Sequence, residues 1–311
     1  VTGAAGFIGS NLCDRLLDAG HQVTGFDNLS TGREEFIAPA AGHPKFQLVR
    51  GDLYEDRPAL TRAMEGADFV FHLAANADVR FGTSHPRRDL EQNTIVTWNV
   101  LEAMRENKIR RIGFSSTGSI YGEPNVHPTP EDCPFPVQTS LYGASKLASE
   151  GLLQAYATGF GFEPYIFRFV SILGERYSHG HVFDFYAKLL SNPNELHILG
   201  DGNQRKSYLY VGDCIRAIMT AIAQPPAVHN LGADDTCNVT QSAGWICERL
   251  GLKPKFVYSG GERGWIGDSP LILLDCRKIR ALGWEPSMTI RQAVESTVDY
   301  LVANQWLFKS R

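Results

Sequence analysis

The chain has 311 residues, 43% of them apolar and 21% charged, so it can fill a core and is not disordered throughout. Its 34 acidic residues against 30 basic ones leave a formal charge of −4, which gives no electrostatic reason to expect a nucleic-acid or anionic-membrane partner. No window approaches the roughly 18 apolar residues of a membrane span. The six scattered cysteines, without a CxxC or zinc-type spacing to a histidine, read as reduced thiols of a cytoplasmic protein with no metal centre.

The chain opens on Val1-Thr2-Gly3. A buried strand takes about five residues, so this sequence is expected to lack the first residues of the natural chain. Short β-branched or aromatic runs then alternate with amphipathic stretches. Strands are expected at 22–27, 46–50, 69–73, 111–115 and 165–169, with a late one at 229–232. Helices are expected at 8–19, 59–65, 94–106 and 144–158. This alternation predicts a parallel sheet covered on both faces. After Phe169 the periodicity is less regular: a loop running into a helix at 178–190, a short strand at 196–199, and helices at 239–250 and 289–306. The expected fold is α/β, a Rossmann-type doubly wound parallel sheet with a smaller, partly interleaved α/β domain.

Gly3-Ala4-Ala5-Gly6-Phe7-Ile8-Gly9 is a GxxGxxG turn between a strand and a helix. Gly3 permits the tight turn, Gly6 lets backbone approach a pyrophosphate, and Gly9 lets helix and sheet pack closely. The helix N-terminus then faces the negative charge. A glycine-rich turn without a ligand is the alternative. Asp27 ends the next strand, 18 residues beyond Gly9, where an acid takes both hydroxyls of an adenosine ribose and repels a 2′-phosphate. That favours NAD over NADP, with Arg33 as the residue that could tolerate the phosphate. Asp52 is placed to border the adenine, and Asn76 falls where the dinucleotide should run.

Tyr142 and Lys146 stand four apart, on one helical face. Positive charge on Lys146 would lower the phenol from its ordinary pKa of about 10, and a phenolate is a usable general base toward a sugar hydroxyl. The strand before ends Phe114-Ser115-Ser116-Thr117-Gly118-Ser119. Carboxyl ends of parallel strands are where such sheets bind ligands, so the Thr117 hydroxyl is expected to share the substrate's proton with Tyr142. Ser119 is expected to satisfy turn backbone groups.

With these motifs in place, the chain resembles the extended short-chain dehydrogenase/reductase family, in its nucleoside-diphosphate-sugar 4-epimerase branch. The resemblance spans nearly the whole sequence: TGAAGFIGS at 2–10, DNLSTG at 27–32, GDL at 51–53, HLAANADVR at 72–80, YGASK at 142–146, GDGNQRKSYLYVGD at 200–213 and RGWIGD at 263–268. It implies bound NAD, held by Gly3, Gly6, Phe7, Ile8, Gly9, Asp27, Asn28, Ser30, Thr31, Gly32, Asp52, Leu53, Leu73, Ala74, Ala75, Asn76, Asn93, Ser115, Tyr142 and Lys146. It implies Tyr142 as the base, Lys146 as the orienting cation and Thr117 as the assisting hydroxyl. Asn93 and Asn99 belong to a helix that packs behind the site in relatives. Residues 1–168, with the sheet continued by about 208–232, would form the NAD-binding domain. Residues 169–207 and 233–311 would bind substrate. The helices at 94–106 and 144–158 match those that pair into a homodimer.

A UDP-sugar is the implied substrate. Its expected contacts are Asp78, Val79, Arg80, Thr117, Gly118, Ser119, Tyr142, Ser171, His181, Val182, Arg205, Tyr208, Arg263 and Asp268. Two positions depart from the family pattern. Lys206 aligns with the usual arginine while Arg205 stands one residue early, and Ser171 replaces a common asparagine. The expected reaction is inversion at C4 of UDP-glucose or UDP-galactose through a 4-keto sugar. Alternatives are a UDP-glucuronate or UDP-N-acetylhexosamine 4-epimerase, a UDP-glucuronate decarboxylase, and a non-catalytic NAD-binding module. Gly118 and Ser119 stand where dehydratases carry Asp-Glu and decarboxylases carry Glu at the second position, which argues against both. Trp265, near the hexose, would disfavour an N-acetyl group.

Overall fold

The computed structural model describes residues 1–76, 82, 84–134, 137–265 and 268–309. Asp78, Val79 and Arg80, three expected substrate contacts, lie outside the described residues. The first half alternates as expected: α1 (Phe7–Asp18), β1 (Val23–Asp27), α2 (Glu34–Ala41), β2 (Phe46–Arg50), α3 (Arg57–Ala63), β3 (Phe69–His72), α4 (Pro86–Asp89), α5 (Val96–Glu106), β4 (Arg111–Thr117), α6 (Leu141–Phe160) and β5 (Glu163–Phe169). There follow β6 (Ser171–Leu173), α7 (His181–Ser191), β7 (Glu195–Ile198), β8 (Arg205–Lys206), β9 (Tyr208–Tyr210), α8 (Val211–Ile222), β10 (Val228–Leu231), β11 (Cys237–Asn238), α9 (Val239–Leu250), β12 (Lys255–Tyr258), β13 (Leu271–Ile272), α10 (Arg277–Arg280) and α11 (Ile290–Ala303).

The main sheet is parallel, in the order β2-β1 on one side and β3-β4-β5-β10 on the other. Thr2 joins the halves by bridging both Phe26 and His72. The chain therefore reverses direction across the sheet at Thr2, a topological switch point of the kind where open α/β sheets bind ligands. The glycine turn leaves the sheet at that point. Alternate residues of the strands feed two apolar layers: Phe71, Phe167 and Leu12 belong to one, and Val70, Ile112, Phe114, Ile166, Val100 and Leu153 to the other. Burial on both faces is what the continuous apolar strands required.

Beyond β5 the small strands pair separately: β6 with β9, β7 with β12, and β8 between β11 and β13. The late strand expected at 229–232 is β10, and it returns to the main sheet beside β5. Besides the short strands β6, β8, β9 and β11 to β13 and the short helices α4 and α10, three longer elements were not anticipated. They are α2, with a proline inside it, α8, and a π-helix over Leu90–Ile95 that runs directly into α5. The last is invisible to a search for 3.6-residue periodicity, because each turn carries an extra residue.

Helix α6 carries Tyr142 and Lys146 and has a well-defined end at each terminus. The Ser140 hydroxyl accepts the Gly143 N–H at 3.0 Å, and Gly161 ends the helix at φ +70°, a left-handed conformation that suits glycine.

At the glycine turn, a Cβ on Gly9 would stand 2.0 Å from the Gly3 carbonyl oxygen. Backbone cannot move aside there, so Gly9→Ala is expected to push α1 off the sheet edge. Cofactor content by absorbance and the thermal midpoint should both fall. An alanine variant with full cofactor and unchanged melting would contradict this packing.

Candidate active site

The turn and first helix build one end of the site. Gly3 adopts φ +70°, and a Cβ there would lie 2.8 Å from the Ala74 nitrogen. No side chain caps the N-terminus of α1, so the first N–H groups, from Phe7 to Gly9, remain available to an anion. Asp27 is 8% exposed; its Oδ2 accepts the Ala5 N–H at 2.9 Å and its Oδ1 the Leu29 N–H at 2.8 Å. Burial pushes this carboxyl upward and the two N–H donors oppose it. Each oxygen keeps a further lone pair. A glycine cradle that excludes Cβ atoms, beside a two-oxygen acceptor, fits a pyrophosphate and an adenosine ribose.

Around this frame the expected cofactor positions have definite partners. Asn28 donates to Asp52 at 2.6 Å and accepts from the Ser30 N–H at 2.9 Å. Asp52 also accepts the Tyr54 N–H at 2.7 Å. Ser30 and Thr31 are exposed, whereas Gly32 is buried, with its Cα face against Ala5 and Asp27. The Leu53 carbonyl receives the Asn99 side-chain amide at 2.8 Å, which locks α5 to the second loop. After β3, the Leu73 N–H reaches the Thr2 carbonyl at 3.2 Å, and Ala74 and Ala75 follow, half-buried. Asn76 donates its N–H to Asn93 Oδ1 at 2.9 Å and its side-chain amide to Asp89 Oδ1 at 2.8 Å.

Asn93 lies in the π-helix, 1% exposed, and donates to Ser145 Oγ on α6 at 2.9 Å. Thr94 Oγ1 donates to the Ser145 carbonyl at 3.1 Å, and Ser149 Oγ to the Asn93 carbonyl at 3.2 Å. The π-turn thus aims two consecutive side chains, Asn93 and Thr94, at α6 and fixes its position along the sheet.

The structure brings Thr117, Tyr142 and Lys146 together at the carboxyl end of β4. Thr117 stands by the Tyr142 phenol, close enough to favour its ionised form against burial. Thr117 Oγ1 also donates to Ser119 Oγ at 3.2 Å and accepts the Ser119 N–H at 3.1 Å. Ser119 therefore turns its hydroxyl toward Thr117, not toward turn backbone. Gly118 begins the short 3₁₀ turn Gly118–Tyr121. Lys146 is 2% exposed; its ammonium donates to the Ser115 carbonyl at 2.8 Å and sits 4.8 Å over the Phe114 ring. The Ser115 hydroxyl donates to the His72 carbonyl at 3.2 Å.

Burial dominates the electrostatics. It pulls Lys146 down to about 7, against the raising effect of Glu150. It pushes Tyr142 up to about 12, opposed by Thr117. The expectation that Lys146 lowers the phenol is not met by the protein's groups alone, because taking a phenolate out of water costs more than they return.

On the far side of the site, β8 alternates its side chains. Lys206 points inward: it donates to Asp268 Oδ1 at 2.6 Å and lies 4.5 Å over the Trp265 ring. Asp268 is 3% exposed and also takes the Gly264 N–H at 3.0 Å. Arg205 points the other way, to Thr236, at 3.0 and 3.1 Å. Of the two adjacent cations, Arg205, expected on the substrate side, is exposed and held by Thr236, and Lys206 joins the group around Asp268.

His181 opens α7, bonded to Ser242 Oγ at 2.7 Å with its ring 4.7 Å from that of Tyr208. Val182, the next expected contact, is 0% exposed and belongs to the apolar core. Ser171 is the exposed residue of β6, paired in register with Tyr208. Arg263 is ion-paired with Glu123 and donates to the Asp268 carbonyl at 2.8 Å. Among the described residues, no group of three His, Cys, Asp or Glu side chains is placed to hold a metal.

Several residues at the site were not singled out from sequence. Asp89, at the end of α4, meets Asn76, and Ser145 meets Asn93 of the π-turn. Glu150 had a usable signal, since it stands four residues beyond Lys146.

His72 gives the site a pH signature. It is 1% exposed, between Thr2 Oγ1 at 2.8 Å and Thr97 Oγ1 at 3.1 Å, and burial with the nearby Lys146 holds it down to about 3. The unfolded chain takes up this proton near pH 6.5, so the stability it contributes is full above that value. That stability is lost as pH falls toward 3, at about 1.4 kcal/mol per pH unit. In urea unfolding at pH 7 and pH 5, His72→Gln should lose less stability on acidification than the wild type. Equal losses would contradict a neutral buried His72.

Residues 1–232 match the NAD dependent epimerase/dehydratase family. A protein of Methanocaldococcus jannaschii described as a putative UDP-glucose 4-epimerase is 32% identical over 309 residues, covering 98% of each chain. A crystal structure of a UDP-galactose 4-epimerase is 37% identical, with a TM-score of 0.87 over 98% of each chain. A crystal structure of a UDP-glucuronic acid 4-epimerase of Bacillus cereus, with a fluorinated UDP-sugar and NAD, is 27% identical, with a TM-score of 0.89 over 97% of this chain and 98% of that one. The chain belongs to the NAD dependent epimerase/dehydratase family.

Proposed function

We propose that the protein inverts C4 of a UDP-hexose, UDP-glucose or UDP-galactose, through a transient 4-keto sugar. The observation that carries this reading is the meeting of Thr117, Tyr142 and Lys146 at the end of β4, beside a dinucleotide cradle. A module that only bound NAD would have no need of that convergence.

In this reading residues 1–168, with about 208–232, hold NAD, and residues 169–207 and 233–311 hold the sugar nucleotide. The glycine turn holds the pyrophosphate and Asp27 the adenosine ribose. NAD, when bound, supplies the hydride acceptor and donor and a positively charged ring. Tyr142 takes the O4 proton and returns it, and Thr117 holds that oxygen by hydrogen bond while the proton moves. Lys146 supports the phenolate, whose formation burial alone opposes. Lys206, Asp268, His181, Tyr208, Ser171 and Arg263 supply the polar and cationic groups for a nucleoside diphosphate.

The six cysteines are all free, as a reducing, cytoplasmic setting would have them. Among the described residues no helix is long and apolar enough to cross a membrane. A homodimer through α5 and α6 is supported by large apolar side chains left in water there: Trp98 is 42% exposed and Phe160 52%.

Proton NMR of products from UDP-glucose, UDP-glucuronate and UDP-N-acetylglucosamine, each incubated alone, tests the assignment. C4 inversion of UDP-glucose is expected. Inversion confined to either other sugar would move the substrate, and inversion of none would remove the activity. Tyr142→Phe should lower turnover by about a thousandfold or more with cofactor content unchanged; normal turnover would overturn Tyr142 as the base. Trp98→Asp combined with Phe160→Asp should sediment as a folded monomer where the unsubstituted protein sediments as a dimer. A dimer in both would exclude this interface.

A further inference from the structure

A buried ion pair lies directly behind the reacting groups, and the mechanism above makes no use of it. Glu150 stands one helical turn beyond Lys146 on α6, so the two side chains leave the same face of the helix. It is 1% exposed, and Arg168 on β5 is 8% exposed. Glu150 accepts Arg168 Nε at 3.0 Å and Nη2 at 2.7 Å, and it also accepts the Ser116 hydroxyl from β4. The remaining guanidinium nitrogen of Arg168 donates to the Tyr121 hydroxyl at 2.6 Å and to the Glu131 carbonyl at 2.7 Å. Tyr121 in turn donates to Asn230 on β10 at 2.9 Å. The carboxylate is thus held from two strands, β5 and β4, the second of them the strand that ends in Thr117.

Stability alone is a poor reason for such a pair. Desolvating two charges costs as much as their attraction returns, and apolar side chains of similar volume do as well or better. The pair's place in the molecule suggests a different use. Lys146, equally buried, hydrogen-bonds a neutral carbonyl.

We propose that Glu150 is a positioning residue for the reaction: fixed by Arg168 and Ser116, its carboxylate keeps Lys146 an ammonium inside a dry site. This rests on the reading of Tyr142 and Lys146 as the proton-handling pair. Among the described residues, Lys146 is faced by Glu150 from its own helix α6, the Ser115 carbonyl and Phe114 ring from β4, and His72 from β3; Tyr142 lies one turn earlier on α6. His72 is neutral at working pH. Glu150 is the group that opposes the effect of burial on Lys146.

The test is the pH dependence of kcat/KM for the holoenzyme, its Lys146→Met variant and its Glu150→Gln variant. Lys146→Met must lose most activity; if it does not, the reading of Lys146 itself fails, whatever Glu150 does. Given that loss, Glu150→Gln should move the alkaline limb down by about one pH unit. Activity at pH 8 would then be about tenfold low and would recover toward wild type near pH 6, with KM unchanged. A uniform loss with the limb unmoved is what a merely structural role gives, and it would overturn the proposal. Should Glu150→Gln not fold, Glu150→Gln/Arg168→Met replaces both charges by neutral side chains of similar length. The limb should again move down, and an unmoved limb again overturns the proposal.

Discussion

A lysine amine buried almost out of reach of water is the constraint around which this structure is arranged. Lys146 is 2% exposed and is held at about 7 by its burial. A buried ammonium is tolerated only where geometry is well fixed, and the surroundings supply that. The π-turn over Leu90–Ile95 sends Asn93 and Thr94 onto Ser145. Ser149 returns a hydrogen bond to the π-turn, and Glu150 ties the next turn of α6 to β4 and β5. Three polar residues of α6, Ser145, Ser149 and Glu150, are spent on holding that helix in place. The same contacts fix Tyr142, one turn earlier, against Thr117.

The cofactor end is coupled to this frame through the switch point of the sheet. Thr2 gives its backbone to both neighbouring strands and its hydroxyl to His72. His72 passes the contact to Thr97, whose hydroxyl donates to the Asn93 carbonyl at 2.6 Å. A continuous chain of hydrogen bonds therefore runs from the start of the glycine turn to the helix that carries the phenol. Asp27 closes the other side by binding the turn's own backbone. The glycine turn and the helix that carries Tyr142 and Lys146 are parts of one polar framework inside two apolar layers.

Much of this was legible in the sequence where the signal is local. The glycines at 3, 6 and 9 encode their turn by spacing, and Tyr142 and Lys146 share a face because four residues make about one helical turn. The apolar runs at 46–50 and 111–115 fell on strands for the same kind of reason. What was not legible depends on partners distant along the chain. Arg205 and Lys206 are adjacent cations, and only their strand's alternation decides which one meets Asp268, 62 residues away. Val182 reads as a loop-to-helix position and proves to be core. The π-turn has no periodic signature. Arg168 and Glu150 lie on different elements, so their pairing cannot be read from either.

The account stands most directly on where the hydrogen at C4 goes. If the proposed reaction holds, with the hydride kept in the site between its removal and return, UDP-glucose carrying deuterium at C4 yields UDP-galactose that keeps the deuterium at C4, in ordinary water and without added NAD. Product in which C4 carries solvent hydrogen would contradict the account.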